Sequence, residues 1–188
     1  MVARSLARVL TDVLNPFAIF TALFLFVALA ESPVLRALLY TGVELFAAAA
    51  VAGYVLLMRR RARVGDFWIS TRAERLTPAL VLLTAFVALL GALWLLDAPE
   101  DLPLLTLSMG LASAAIALLT LFFKASAHCT VAGHAATAGL LLLGSLGVVF
   151  LLALPLVIWA RVALGAHSVP ETLAGTTVGA GFALFFLV

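Results

Sequence analysis

The chain has 188 residues, 65% of them hydrophobic and only 11% charged, with a mean hydropathy of +1.26. Soluble domains carry about 25% charged residues, so this composition excludes a water-soluble globular protein and points to bilayer spans. A formal charge of +2 gives no nucleic-acid signature, and a lone cysteine, Cys129, excludes an internal disulfide.

A span of roughly 30 Å needs about 20 apolar residues at 1.5 Å per residue. On that measure the sequence predicts an all-α polytopic transmembrane helical bundle of six to seven spans, one integral membrane domain over 1–188. In chain order the spans are 16–30, 38–58, 77–96, 104–123, about 129–143, about 148–160 and 169–188. Arg4 and Arg8 ahead of an apolar run from Phe17, closed by Ala28-Leu29-Ala30, imitate a signal peptide. We read that segment as a retained first span. The fifth and sixth spans form one apolar stretch, divided at Gly144-Ser145-Leu146-Gly147 because its two glycines are the turn signal there.

With seven spans, the N-terminus and segments 59–76, 124–128 and 161–168 share one side. That side holds every cation but one: Arg4, Arg8, Arg59, Arg60, Arg61, Arg63, Arg72, Arg75, Lys124 and Arg161. Arg36 stands alone on the other, with Asp97, Glu100 and Asp101. The positive-inside rule therefore predicts a plasma (inner) membrane protein with its basic face in the cytoplasm.

All three histidines and the only lysine fall in or beside three segments on that side: "STRAERLTP" from Ser70, "KASAHCTVAGH" from Lys124, and "ARVALGAHSVPE" from Ala160. Arg161 ends the sixth span, His167 opens the seventh, and Glu171 follows one helical turn later. A carboxylate there can accept the imidazole Nδ1 proton and leave Nε2 free as a nucleophile. Arginine forks and a lysine ammonium suit phosphoryl oxygens, and a second histidine, His128, can protonate a leaving oxygen.

At these residues the sequence resembles the type 2 phosphatidic acid phosphatase superfamily, as a divergent bacterial or archaeal member. The family pattern is KxxxxxxRP, then PSGH, then SRxxxxxHxxxD. The third element matches best, with Ala160-Arg161, His167 and Glu171 at the family spacing and Leu173-Ala174-Gly175 after them. Ala160 stands for the serine and Glu171 for the aspartate. Ala125-Ser126-Ala127-His128 stands for PSGH, with Lys124 before it. Arg72, Arg75 and Pro78 keep the cations and proline of the first element without its spacing. "VAGH" ending at His134 also resembles the second element, but His128 has Ser126 and Lys124 beside it and leaves more room for two helices before Arg161. The resemblance implies that His167 attacks phosphorus to give a phosphohistidine, that Glu171 orients it, and that His128 protonates the departing group. Arg161, Lys124, Ser126, Arg72 and Arg75 would hold the phosphoryl oxygens, with no cofactor and no metal required. The implied substrate is a lipid phosphate or diphosphate, isoprenyl first, then phosphatidic acid or phosphatidylglycerol phosphate.

Each residue has a plainer reading. Ser168-Val169-Pro170-Glu171 is a capping box with proline in the first turn, and Thr71-Arg72-Ala73-Glu74 is another. Arg72, Arg75 and Lys124 also serve as interfacial anchors, and Arg59 to Arg63 as contacts for anionic headgroups. Glu44 lies inside the second span, where a carboxyl is costly, and receives no role. Cys129 fits small-residue packing. Gly175 and Gly179 form a close-packing face, either between spans or in a homodimer. A zinc site from the three histidines is disfavoured, since no H-x-x-x-H pair exists. The rival function is a non-catalytic bundle that binds or transports anionic lipids.

Overall fold

The computed structural model describes residues 2–65, 74 and 76–188. All regular elements among them are helical: α1 (Val2–Val13), α2 (Pro16–Glu31), α3 (Val34–Arg60), α4 (Leu76–Leu95), α5 (Asp101–Leu119), α6 (Ala127–Leu143), α7 (Val148–Ala163) and α8 (Val169–Leu187). By length and apolarity four helical stretches can cross a membrane: α3, α4, α5 and the run Ala127–Ala163. A fifth is added if α1 and α2, bent by 47° at their junction, count as one. That is fewer than the six to seven spans expected. The main reason is that α6 and α7 are short individually and α8 is diluted by glycine and threonine.

The run Ala127–Ala163 is not one straight rod. A Cβ added to Gly139 would lie 3.3 Å from the Gly147 Cα and 2.9 Å from the Phe150 ring, so the chain folds back on itself. A 3-10 turn over Gly144–Gly147 makes the reversal, with Gly144 at φ +56°, a backbone region that favours glycine. The sequence break at these glycines is therefore real.

Why α6 sits at the centre follows from its composition, AHCTVAGHAATAGLLLL. Small side chains let neighbouring backbones approach closely, and α6 packs against α8, α7, α2 and α5. Its tightest partner is α8. A Cβ at Gly133 would stand 2.6 Å from the Thr176 carbonyl oxygen, and one at Gly175 or Gly179 would collide with the carbonyls of Ser126 and Thr130. The Gly175 and Gly179 face is thus consumed inside the chain and is not free for a second copy.

Bulkier helices behave differently. α3 packs on α2 and α4, and α4 on α3 and α5. Many of their large side chains, including Leu39, Phe46, Leu80, Val87 and Trp94, face outward. α1 was not foreseen as a separate helix. Its Arg4, Arg8 and Asp12 share a helical stripe, while Ala7 and Thr11 are buried where it meets α7.

Candidate functional site

The close α6–α8 contact brings two helix N-termini together at one end of the bundle. Ser126 caps α6, its side chain accepting from the Cys129 amide, and its own N–H donates to the Glu171 carbonyl at 3.1 Å. His128 in the first turn of α6 and His167 just before α8 are thereby fixed on one face. Both helix dipoles present their positive ends there, which favours an anion.

Arg161 and His167 are linked by a turn whose chemistry is written in "ARVALGAH". The Gly165 N–H bonds the Val162 carbonyl at 2.9 Å, and the Ala166 N–H bonds the Arg161 carbonyl at 3.1 Å. This is a Schellman motif closing α7, with Gly165 at φ +68° in the left-handed position the motif needs. The His167 N–H reaches the same Arg161 carbonyl at 3.3 Å. Six residues of separation thus become direct backbone contact. Sequence reasoning missed Gly165, although a glycine just past a helical run is the usual mark of such an end.

Glu171 performs two tasks at once. Its Oε2 accepts from the Ser168 backbone N–H at 3.0 Å, the reciprocal arm of a capping box, and lies 3.2 Å from His167 Nδ1. An ionised carboxylate only accepts, so Nδ1 carries the proton and Nε2 keeps its lone pair. Burial of His167 and the nearby Arg161 guanidinium hold its pKa below the usual imidazole value, against the opposing pull of Glu171. The net shift favours the neutral ring.

These groups open onto a cavity of about 770 Å³. Lys124, His128, Arg161 and His167 line one end of it, and Phe20, Phe86, Leu89 and Met109 are among its apolar walls. His128, Arg161 and His167 are all buried in the fold, and His128 lies within electrostatic reach of the other two.

Not every expected residue joins them. Ser126 is fully buried, outside the cavity wall, and occupied as the α6 cap; adjacent residues of a helix start point in different directions, so sharing a motif with His128 did not put it beside His128. His134 lies away from the mouth in the core, its Nε2 2.8 Å from the Ser108 hydroxyl, so the two histidines between which the sequence left a choice occupy different environments. Arg72 and Arg75 lie outside the described residues. Glu74 accepts from the Gly65 amide at 2.9 Å. Among the described residues no group of three or more His, Cys, Asp or Glu side chains is placed to hold a metal ion. No family model, curated protein or solved structure gives a significant match to the chain.

Proposed function

We propose that the protein is a membrane-embedded lipid phosphatase that acts on a lipid phosphate or diphosphate through a phosphohistidine on His167. The observation that carries this reading is the His167–Glu171 pair at the cationic mouth of a large apolar cavity. A charged mouth and a hydrocarbon interior fit an amphiphile, with its phosphate at Lys124 and Arg161 and its chain among the helices.

In the proposed reaction, Nε2 of His167 attacks phosphorus and the bond from phosphorus to the lipid oxygen breaks. His128 supplies the proton to that oxygen, the phosphoryl charge beside it being the counter-charge that lets it hold one. Water then attacks the phosphohistidine, His128 takes its proton, and inorganic phosphate leaves. Arg161 and Lys124 stabilise charge on the equatorial oxygens. Glu171 and Ser126 are positioning residues, the first through His167 and the second through the start of α6. Arg72 and Arg75 are assigned to the phosphate by resemblance alone.

The reading includes seven crossings with the basic end in the cytoplasm. Single cysteines introduced at Gly65 and Pro99 in a Cys129→Ser background test this with an impermeant thiol reagent. Labelling in intact cells should fall on position 99; exclusive labelling at position 65 reverses the orientation.

The activity test is phosphate release by purified protein with chelator present, over isoprenyl and glycerol lipid phosphates. The proposal expects turnover that disappears in His167→Ala. Binding without turnover, indifferent to His167, would instead favour a lipid-binding or transport bundle.

A further inference from the structure

The cavity that begins at His167 ends on a second polar group. Glu44 is 3% exposed in the fold and lines the same cavity. It stands one turn along α3 from Tyr40, whose hydroxyl lies 3.4 and 3.5 Å from the carbonyl oxygens of Leu96 and Asp97 between α4 and α5. That connection is at the end of the bundle opposite Lys124 and His167, so Glu44 marks the deep end. Along α3 the wall runs from Val55 to Glu44, about 16 Å at the rise of a helix.

Thr21 Oγ1 approaches both Glu44 oxygens, at 3.1 and 2.9 Å. A hydroxyl has one proton, so Thr21 serves one oxygen at a time, while a carboxyl offers about four acceptor positions. Water can fill the remainder while the cavity is empty. A plain hydrocarbon chain that expels this water leaves the carboxyl poorly solvated, whereas a chain bearing a hydroxyl at that depth replaces the lost bond.

We infer that Glu44, held by Thr21 behind it, forms a second subsite, at the deep end of the cavity, for a hydroxyl carried on the apolar chain of the lipid whose phosphate sits at His167. The inference rests on the phosphatase reading for the headgroup and adds a substrate class to it, the chain-hydroxylated lipid phosphates. A hydroxyl both donates and accepts, so it suits Glu44 in either protonation state. A protonated amine would share only the donor chemistry.

The test is competition binding in detergent, with non-hydrolysable phosphonate analogues of lipid phosphates whose hydroxyl is walked along the chain, against a radiolabelled plain-chain phosphonate. Wild type should prefer one hydroxyl position over the plain chain by about tenfold. The preference should survive His167→Ala and vanish in Glu44→Leu, which still binds the plain chain. Glu44→Gln, close in shape to the native side chain, should weaken the hydroxyl preference several-fold; tighter wild-type binding of an amine-bearing chain than of every hydroxylated chain would overturn the assignment to a hydroxyl. Equal binding at every hydroxyl position, or a preference unchanged in both Glu44 variants, overturns the subsite. If phosphorylated plain chains neither bind nor react, the headgroup reading fails on its own. In that case chain-hydroxylated alcohols without phosphate should still bind in a Glu44-dependent manner, and their failure to do so sinks the subsite as well.

Discussion

Two halves of this bundle are built on opposite terms. α6 and α8 meet through Gly133, Gly175 and Gly179 so closely that a single methyl group does not fit. On α3 and α4, by contrast, a Cβ at Gly53 or Gly91 meets nothing within 4 Å. Packed cores are stiff and resist volume change, so the tight half is the part able to hold His128, His167 and Glu171 in register. The open half gives up that precision and encloses a cavity instead.

The sharpest break of the comparison is at the proposed nucleophile. His167→Ala should lower lipid phosphate turnover by about 10⁴-fold or more, measured as phosphate release, with the fold intact. Next is the tight seam. Gly179→Leu should destabilise the protein by about 3 kcal/mol and reduce activity with it, read from thermal unfolding in detergent. Gly91→Ala on the open side should instead leave stability unchanged or raise it by up to about 1 kcal/mol. Glu171→Gln should cost at least about 100-fold in turnover while leaving lipid binding, measured separately, within a few-fold of wild type. A capping role alone would predict lost stability, on the order of 1 kcal/mol, and little change in chemistry.

The smallest effect is on pH. Burial and Arg161 hold the His167 pKa below its ordinary value, so the neutral ring, the form the proposed attack needs, persists on the acid side of about pH 6.5. The acidic limb of the turnover profile should therefore lie below that pH, and Arg161→Gln should move it upward. The same sign governs folding. The unfolded chain binds this proton more readily, so the stabilising contribution is full above the unfolded pKa and is lost as pH falls through the lower folded one.

Helix existence was legible in the sequence because apolar runs and glycine breaks act locally. The ends of α2, α4, α6 and α8 fall within about two residues of the spans read from composition. The segment around His167 was legible for the same reason, since Arg161, His167 and Glu171 are joined by one turn and one cap. What needed the structure depends on helices distant in sequence. Gly175 and Gly179 signalled close packing, but only the facing small residues of α6 identify the partner. Ser126 looked like a phosphate ligand beside His128, yet it is turned inward as a cap. Glu44 was conspicuous as a buried charge, while its Thr21 partner and its place in the cavity arise from the α2–α3 hairpin. α1 left a readable stripe, Arg4, Arg8 and Asp12, which the nearby signal-peptide pattern masked.

The most direct test is chemical trapping. Purified protein is mixed with a lipid phosphate radiolabelled on phosphorus, quenched within one turnover, and digested to locate the label. The account predicts an acid-labile, base-stable phosphoryl group on the peptide containing His167, absent from His167→Ala. Phosphate release with no protein-bound label at any quench time, or label confined to another residue, would contradict it.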